Sequence, residues 1–341
     1  MAVIIAMKCV CIKPNTSLHI GERGYGIEQT GVFPHSDTIF SGICNCYACI
    51  KGRDALESLI EKFIEELPFI ISSALPMIFF ENNAIFFLPK PKVAPRNLDY
   101  ELSKMFKSGE YVSFDAFKRI VESSLSASKD LKLLSKCIVT PNEYKLIKDF
   151  DNIRCGHIAR NAIGGLTSKS SIYYCGLSTF PRNWGFYFLF KGEEAWLKNI
   201  EPSLRLLSDE GLGGERSIGC GRFEFDIKEI DIPTAEDSVL MTLSLYHPLK
   251  EEIVNFLKNP MMLSYRLIKR GGYAFSPFIN AGLLKRWVRM FTEGSIFPRI
   301  DQKIVYGHLI KVIDEKHAPH PVYRYGYAFT IGLGDLSCWI E

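Results

Sequence analysis

The stretch Gly211-Leu-Gly-Gly-Glu-Arg-Ser-Ile-Gly-Cys-Gly-Arg222 holds five glycines within eleven residues, with Arg216, Ser217 and Arg222 among them. Glycine serves where φ must be positive or where backbone lies against a ligand. A helical pattern ends before the stretch, near Leu207. An alternating run follows it, Phe223-Glu-Phe-Asp-Ile-Lys-Glu-Ile230. The stretch therefore reads as a helix–loop–strand connection. Its backbone N–H groups are expected to be free for an anion, with guanidinium groups alongside.

Known glycine loops do not fit. A phosphate loop of the Walker type needs Gly-Lys-Ser/Thr, and no Gly-Lys occurs in the chain. A dinucleotide fingerprint needs a strand before its glycines and a helix after them, the reverse of this order. Metal-assisted nucleotidyl transfer needs neighbouring carboxylates to hold divalent ions, and Arg216 stands where the second acid would be. What remains is a loop that grips phosphate without metal, and RNA is the expected carrier.

The rest of the 341 residues agrees with such a partner. Net charge is only +3, yet the charge is segregated. Residues Arg154 to Gly192 carry five Lys/Arg and no acid, and Ile253 to Thr292 carry seven and no acid. Segregated basic stretches suit an anionic partner. Ten cysteines without a leader sequence point to a reducing, cytoplasmic setting, with no membrane span. Cys9, Cys11, Cys44, Cys46 and Cys49 raise the possibility of a zinc site, but only Cys46/Cys49 form a C-x-x-C unit; no metal or other cofactor is expected.

The principal elements run strand (Val3–Lys13), helix, strand, strand, helix, strand. That order predicts an α+β fold with a ferredoxin-like, RNA-recognition-type domain over residues 1–232. Ser36 or Asp37 is expected to cap the first helix, Asp54 with Glu57 the second, Ser113 and Thr140 (with Glu143) two later ones. Residues 92–150 read as a helical insertion. Arg154 to Cys175 reads as an extended basic hairpin turning at Gly164-Gly165, too poor in apolar side chains to be core sheet. The helix Glu193–Leu207 is expected to break near Pro202. A second, less clearly marked ferredoxin-like unit is expected over 233–341.

His35-Ser-Asp-Thr-Ile-Phe40, the glycine loop, Gly271-Gly-Tyr273, Glu293-Gly-Ser-Ile-Phe297 and Tyr323-Arg-Tyr-Gly-Tyr-Ala-Phe329 together resemble the RAMP superfamily of CRISPR-associated proteins. Within it they are similar to the family of the fourth subunit of the type III-A (Csm) effector complex. The resemblance implies two tandem ferredoxin-like domains and a non-catalytic scaffold. It implies that the chain holds the repeat-derived 5′ tag of the guide RNA and bridges the large palm-domain subunit to the backbone subunit. It also matches the basic hairpin to a thumb, 154–175, that wedges into the guide–target duplex.

The expected RNA contacts are Arg154, Arg160, Lys169, Arg216, Arg222, His35, Ser36, Glu215 and Ser217. The backbone of Gly211, Gly213, Gly214, Gly219 and Gly221 joins them. A rival reading is a metal-independent endoribonuclease acting on precursor guide RNA. There His35 or His157 would be the base, and Lys169 or Arg216 would stabilise the developing charge.

Overall fold

The computed structural model describes residues 3–334 except 22–25, 82, 96–97, 123–129, 164–169, 236–237, 280–281, 315 and 317. The fold is mixed α+β. Its first strand, β1 (Val3–Pro14), places Val10 and Ile12 on one face and Cys9 and Cys11 on the other, all four buried. A strand buried on both faces needs a layer on each side.

Two helices follow, α1 (Ser36–Lys51) and α2 (Arg53–Glu65), then β2 (Phe69–Ile71), β3 (Leu75–Phe80) and β4 (Asn83–Pro89). Next come α3 (Tyr100–Ser108), β5 (Tyr111–Ser113), α4 (Phe114–Val121), β6 (Lys132–Leu134), β7 (Cys137–Val139) and α5 (Pro141–Ile147). A hairpin of β8 (Arg154–Ile163) and β9 (Ser170–Thr179) leads into β10 (Trp184–Gly192), α6 (Glu194–Glu210) and β11 (Phe223–Thr234). One sheet runs β11-β1-β10-β3-β4-β5-β7-β6, with β2 also on β10. In its centre Cys11 lies opposite Tyr187 on β10 and Asp226 on β11. Helices α1, α2 and α6 cover the face that carries Val10 and Ile12.

Several local expectations change. The N-cap of α1 is His35, with Ser36 and Asp37 already helical, because both side chains are engaged with distant segments. Gly52 caps α2 without a side-chain bond, so Asp54 does not act as its cap. Helix α6 continues through Pro202 to Glu210; its buried face, Leu197, Ile200, Leu204 and Leu207, outweighs the donor that proline removes. The caps at Ser113 and Thr140 form as read, the latter as a full capping box with Glu143. The hairpin returns further than expected, to Thr179, and its register pairs Arg154 with Thr179 and Ile163 with Ser170.

After β11 come β12 (Val239–Thr242), α7 (Lys250–Phe256), β13 (Leu267–Arg270), β14 (Val288–Phe291), β15 (Ile296–Pro298), β16 (Leu309–Ile313), β17 (Val322–Tyr325) and β18 (Thr330–Gly332). They form three separate small sheets, β15-β12-β18, β13-β14 and β16-β17, and α7 is the sole α-helix there among the described residues. Glycine interrupts the strands: a Cβ on Gly307 would lie 2.1 Å from the carbonyl oxygen of Gly326. The two halves do not have separate cores. Leu309, Tyr325 and Tyr327 complete the core under α1, while Val239, Met241, Ile296 and Phe329 pack on the Cys9/Cys11 face.

Candidate nucleic-acid interface

The glycine loop is stitched to the segment after β1. Gly221 N donates to Ser17 O (2.9 Å), Gly214 N to His19 O (2.8 Å) and Leu212 N to Gly221 O (2.9 Å). This corrects the expectation of a wholly free row of amides. Among the described residues, the N–H groups of Gly213, Glu215, Arg216 and Ser217 find no acceptor. Glu215 holds a left-handed conformation at φ 57° and turns those amides out of the loop's own bonding.

The glycines themselves serve close backbone approach. At Gly213, φ is +102° and a Cβ would meet His19 O at 2.4 Å. Gly213→Ala is therefore expected to cost upward of about 1–2 kcal/mol from the left-handed backbone alone, since His19 O must also move aside. Chemical denaturation checks it, and Gly219→Ala is the control for φ without contact, as its Cβ would meet nothing.

The loop forms one wall of a cleft of about 380 Å³. Opposite it stand Asp37 and Thr38 of α1, the segment from Arg270 to Phe275, Lys285 and Arg324. Asp37 is buried and takes a bidentate pair from Arg270 (Nε and Nη2, both 3.0 Å) and a further bond from Arg324 Nη1. Burial would raise the Asp37 pKa, yet the two guanidinium groups hold it well below the usual carboxylate range. One carboxylate thus faces two buried guanidinium groups, and Arg324 Nε has no hydrogen-bond partner among the described residues. Lys285 adds a third cation to the lining. Arg216 completes the positive wall, leaving Glu215 as the other described carboxylate of the lining. The arrangement suits a polyanion.

The remaining expected contacts divide. Ser36 is fully buried: its hydroxyl accepts from Leu245 N (3.1 Å) and its own N–H donates to Ser73 Oγ (2.9 Å). It joins the two halves and is closed to a ligand. His35 faces a separate groove of about 820 Å³, lined also by Lys92, Lys136, Arg266 and Lys269. Its Nδ1 donates to Glu293 Oε1 (2.7 Å), which Ser73 also contacts. Burial alone would lower the His35 pKa, but the charge and hydrogen bond of Glu293 raise it above its ordinary value.

Arg154 is exposed at the base of the β8–β9 hairpin, 3.7 Å from Asp151. Arg160 is half-buried near Cys175 and Cys220, behind the loop, with Nε unpartnered among the described residues. Ser217 and Arg222 are exposed, and both lie outside the cleft lining, as do Gly219 and Gly221. Lys169 lies outside the described residues. Sequence reasoning missed Arg270 and Arg324 as partners of Asp37, and Tyr273 and Phe275 in the lining.

Cys9 and Cys11 project from the sheet face opposite α1, which carries Cys44, Cys46 and Cys49, so the two sets do not converge. Among the described residues no helix is long and apolar enough to cross a membrane.

Four of the five motif segments meet around one joint, and the fifth, the glycine loop, faces it across the cleft: His35 touches Glu293, Asp37 touches Arg324, and Arg324 Nη2 donates to Gly271 O (2.9 Å). Comparison with known proteins agrees with that convergence. Residues 53–224 match the RAMP superfamily model, and residues 235–333 match the CRISPR Csm4 C-terminal domain. Proteins named "CRISPR system Cms protein Csm4" are similar over most of their length. That of Thermococcus onnurineus (strain NA1) is 29% identical over 303 residues, covering 88% of this chain and 91% of its own. That of Methanocaldococcus jannaschii is 27% identical over 337 residues, covering 85% of each.

Among solved structures, a chain of a Csm3–Csm4 subcomplex of the type III-A CRISPR-Cas interference complex superposes with a TM-score of 0.63 at 24% identity. The match covers 95% of this chain and 99% of that one. A chain of a Csm1–Csm4 cassette in complex with pppApA gives 0.60 at 21% identity, covering 96% and 98%. At these identities the structures speak for the fold. With half of its length matched by the superfamily model and its last third by the Csm4 C-terminal domain, the chain belongs to the RAMP superfamily of CRISPR-associated proteins.

Proposed function

We propose that the chain is a non-catalytic RNA-binding subunit of a type III-A CRISPR effector, holding the 5′ repeat-derived tag of the guide RNA in the glycine-loop cleft. One observation carries the reading: the cleft gathers Arg216, Lys285, Arg270 and Arg324 against Asp37 and Glu215, beside four backbone N–H groups without an acceptor among the described residues. Positive charge in excess, with unspent donors, suits a phosphate chain. The sheet order β11-β1-β10-β2/β3 with α1 and α6 on one face supports a ferredoxin-like first domain. The exposed β8–β9 hairpin has the form of a thumb. Proteins named as Csm3–Csm4 and Csm1–Csm4 assemblies support a bridging place between backbone and palm-domain subunits.

The test is binding of labelled single-stranded tag RNA to the full chain with those partner subunits, across a salt series. Arg216→Ala is expected to weaken binding and to flatten the slope of log K against log salt by about 0.7 if a phosphate contact is lost. Affinity and slope both equal to wild type in Arg216→Ala and Lys285→Ala would remove the cleft from RNA binding.

A second reading, the metal-independent nuclease, draws on one observation. His35 is held through Nδ1 by Glu293, and the described residues give its Nε2 no partner in a cation-lined groove. Cleavage of a repeat RNA in chelator, abolished in His35→Ala, would favour it. Intact RNA after incubation with wild type is the expected outcome.

A further inference from the structure

Residues 272–277 line the far wall of the cleft, from Gly272 at φ 96° to a turn at Pro277, and alternate strictly in burial. Gly272, Ala274 and Ser276 point inward, and Tyr273, Phe275 and Pro277 point outward. The inward side is fixed: Ala274 N donates to Leu283 O (2.7 Å), Lys285 N to Gly272 O (2.8 Å), and Ser276 Oγ lies 2.7 Å from His320 Nε2. The outward side keeps two aromatic rings in solvent, Tyr273 at 62% exposure and Phe275 at 64%. Both line the cleft. Arg216 of the glycine loop crosses it and lays its guanidinium 4.2 Å from the centroid of the Phe275 ring.

A packed protein would bury such rings, since each removes a large apolar area from water. Here a rigid, hydrogen-bonded backbone holds them out beside unspent cations. The occupant must therefore present flat apolar faces together with negative charge. Single-stranded RNA does both, through bases that stack on aromatic rings and phosphates that meet cations. An acidic protein segment would meet the cations but offers no planar faces to match two rings.

We propose that Tyr273 and Phe275 are a base-stacking platform, and that Arg216 forms part of it by stacking on Phe275. Bases of the bound strand lie on this platform while Lys285 and the amides of Glu215 and Arg216 take the adjacent phosphates. The proposal rests on the reading of the cleft as an RNA site and adds to it how bases are held. Because every base has a π-face, the platform selects for single-strandedness and tolerates any sequence.

The experiment compares wild type, Phe275→Leu and Tyr273→Leu, in the full chain, on two RNAs of equal length: a single strand with its bases, and the same backbone carrying abasic sites at successive positions. Leucine keeps apolar bulk at exposed positions, so the fold should persist, which circular dichroism and thermal melting confirm. Each variant should bind the intact RNA roughly 5- to 100-fold more weakly, with an unchanged salt slope. Wild type and variants should bind equally when the abasic site falls on the platform.

Equal loss on intact and abasic RNA would mean that the rings hold the loop and not the bases, overturning the proposal. Undiminished RNA binding with loss of a partner subunit in co-purification would make the platform a protein-docking surface. If wild type bound neither RNA, the reading of the cleft itself would fail. Binding that survives in wild type but ignores both substitutions sinks the platform alone.

Discussion

Asp37→Asn is expected to destabilise the protein by about 3–5 kcal/mol, the loss typical when one member of a buried charge cluster is removed and its partners stay buried. Arg270 and Arg324 would then face each other without the carboxylate that now takes bonds from both. The effect should exceed a local one. Asp37 belongs to α1, Arg270 ends β13 and Arg324 lies on β17, so the cluster fastens the helix layer of the first half to two hairpins of the second.

Acid should reproduce part of it. The folded pKa of Asp37 is depressed, so its contribution is present above the ordinary carboxylate range and is lost as pH falls toward the folded value. Urea denaturation of wild type and Asp37→Asn at pH 7 and at about pH 2, below the ordinary carboxylate range, checks both statements. A variant midpoint equal to wild type at pH 7 would show that the cluster does not hold the joint. Stability that returns in Asp37→Leu/Arg270→Met/Arg324→Met would show that the charges, once matched, can be replaced by packing.

Lys285→Ala is the second large effect, this time on RNA. A charge-assisted hydrogen bond is worth about 1.5–3 kcal/mol, so affinity should fall roughly 10- to 100-fold, with the salt slope reduced by about 0.7. The accompanying pH dependence distinguishes Lys285 from an ordinary surface lysine. Burial, and then Arg324 beside it, push its pKa down to about 8. RNA affinity should therefore decline as pH rises through about 8, and proton uptake should accompany binding near that pH, read as a buffer-dependent binding enthalpy. Stability has the opposite sign. Because the folded pKa lies below the unfolded one, the unfolded chain binds more protons between them, and the term favours the folded state increasingly as pH rises above about 8. An affinity profile flat from pH 7 to 9, in wild type as in Lys285→Ala, would exclude the lysine from the site.

The first strand, the helix–loop–strand setting of the glycine loop and the cap at Thr140 were legible because each is a local pattern: alternation of period two, glycines at fixed offsets, a capping box. The chemistry of the cleft was not. Asp37 reads in sequence as a helix cap, and nothing local betrays that its partners lie 233 and 287 residues away. His35 could be singled out, but its tie to Glu293 spans 258 residues. Tyr273 and Phe275 sit among glycines and short apolar residues, where only the alternation of buried and exposed side chains in three dimensions separates platform from core. The glycines were singled out for backbone approach to a ligand; those at 211, 213 and 221 approach the chain's own carbonyls, which a sequence cannot distinguish from approach to a ligand.

The shared cores have a consequence for synthesis. During translation the sheet through Thr234 can assemble while Tyr325, Tyr327 and Phe329, which cover parts of both its faces, are still about a hundred residues from being made. At about 5–20 residues per second, the nascent chain carries uncovered apolar faces for roughly 5–20 s. The last strands therefore act as a closing latch on a body already built. Cells that make this chain must keep its first two-thirds from aggregating for that interval, so ribosome-bound intermediates stalled after β11 should be chaperone clients, whereas the released chain should not.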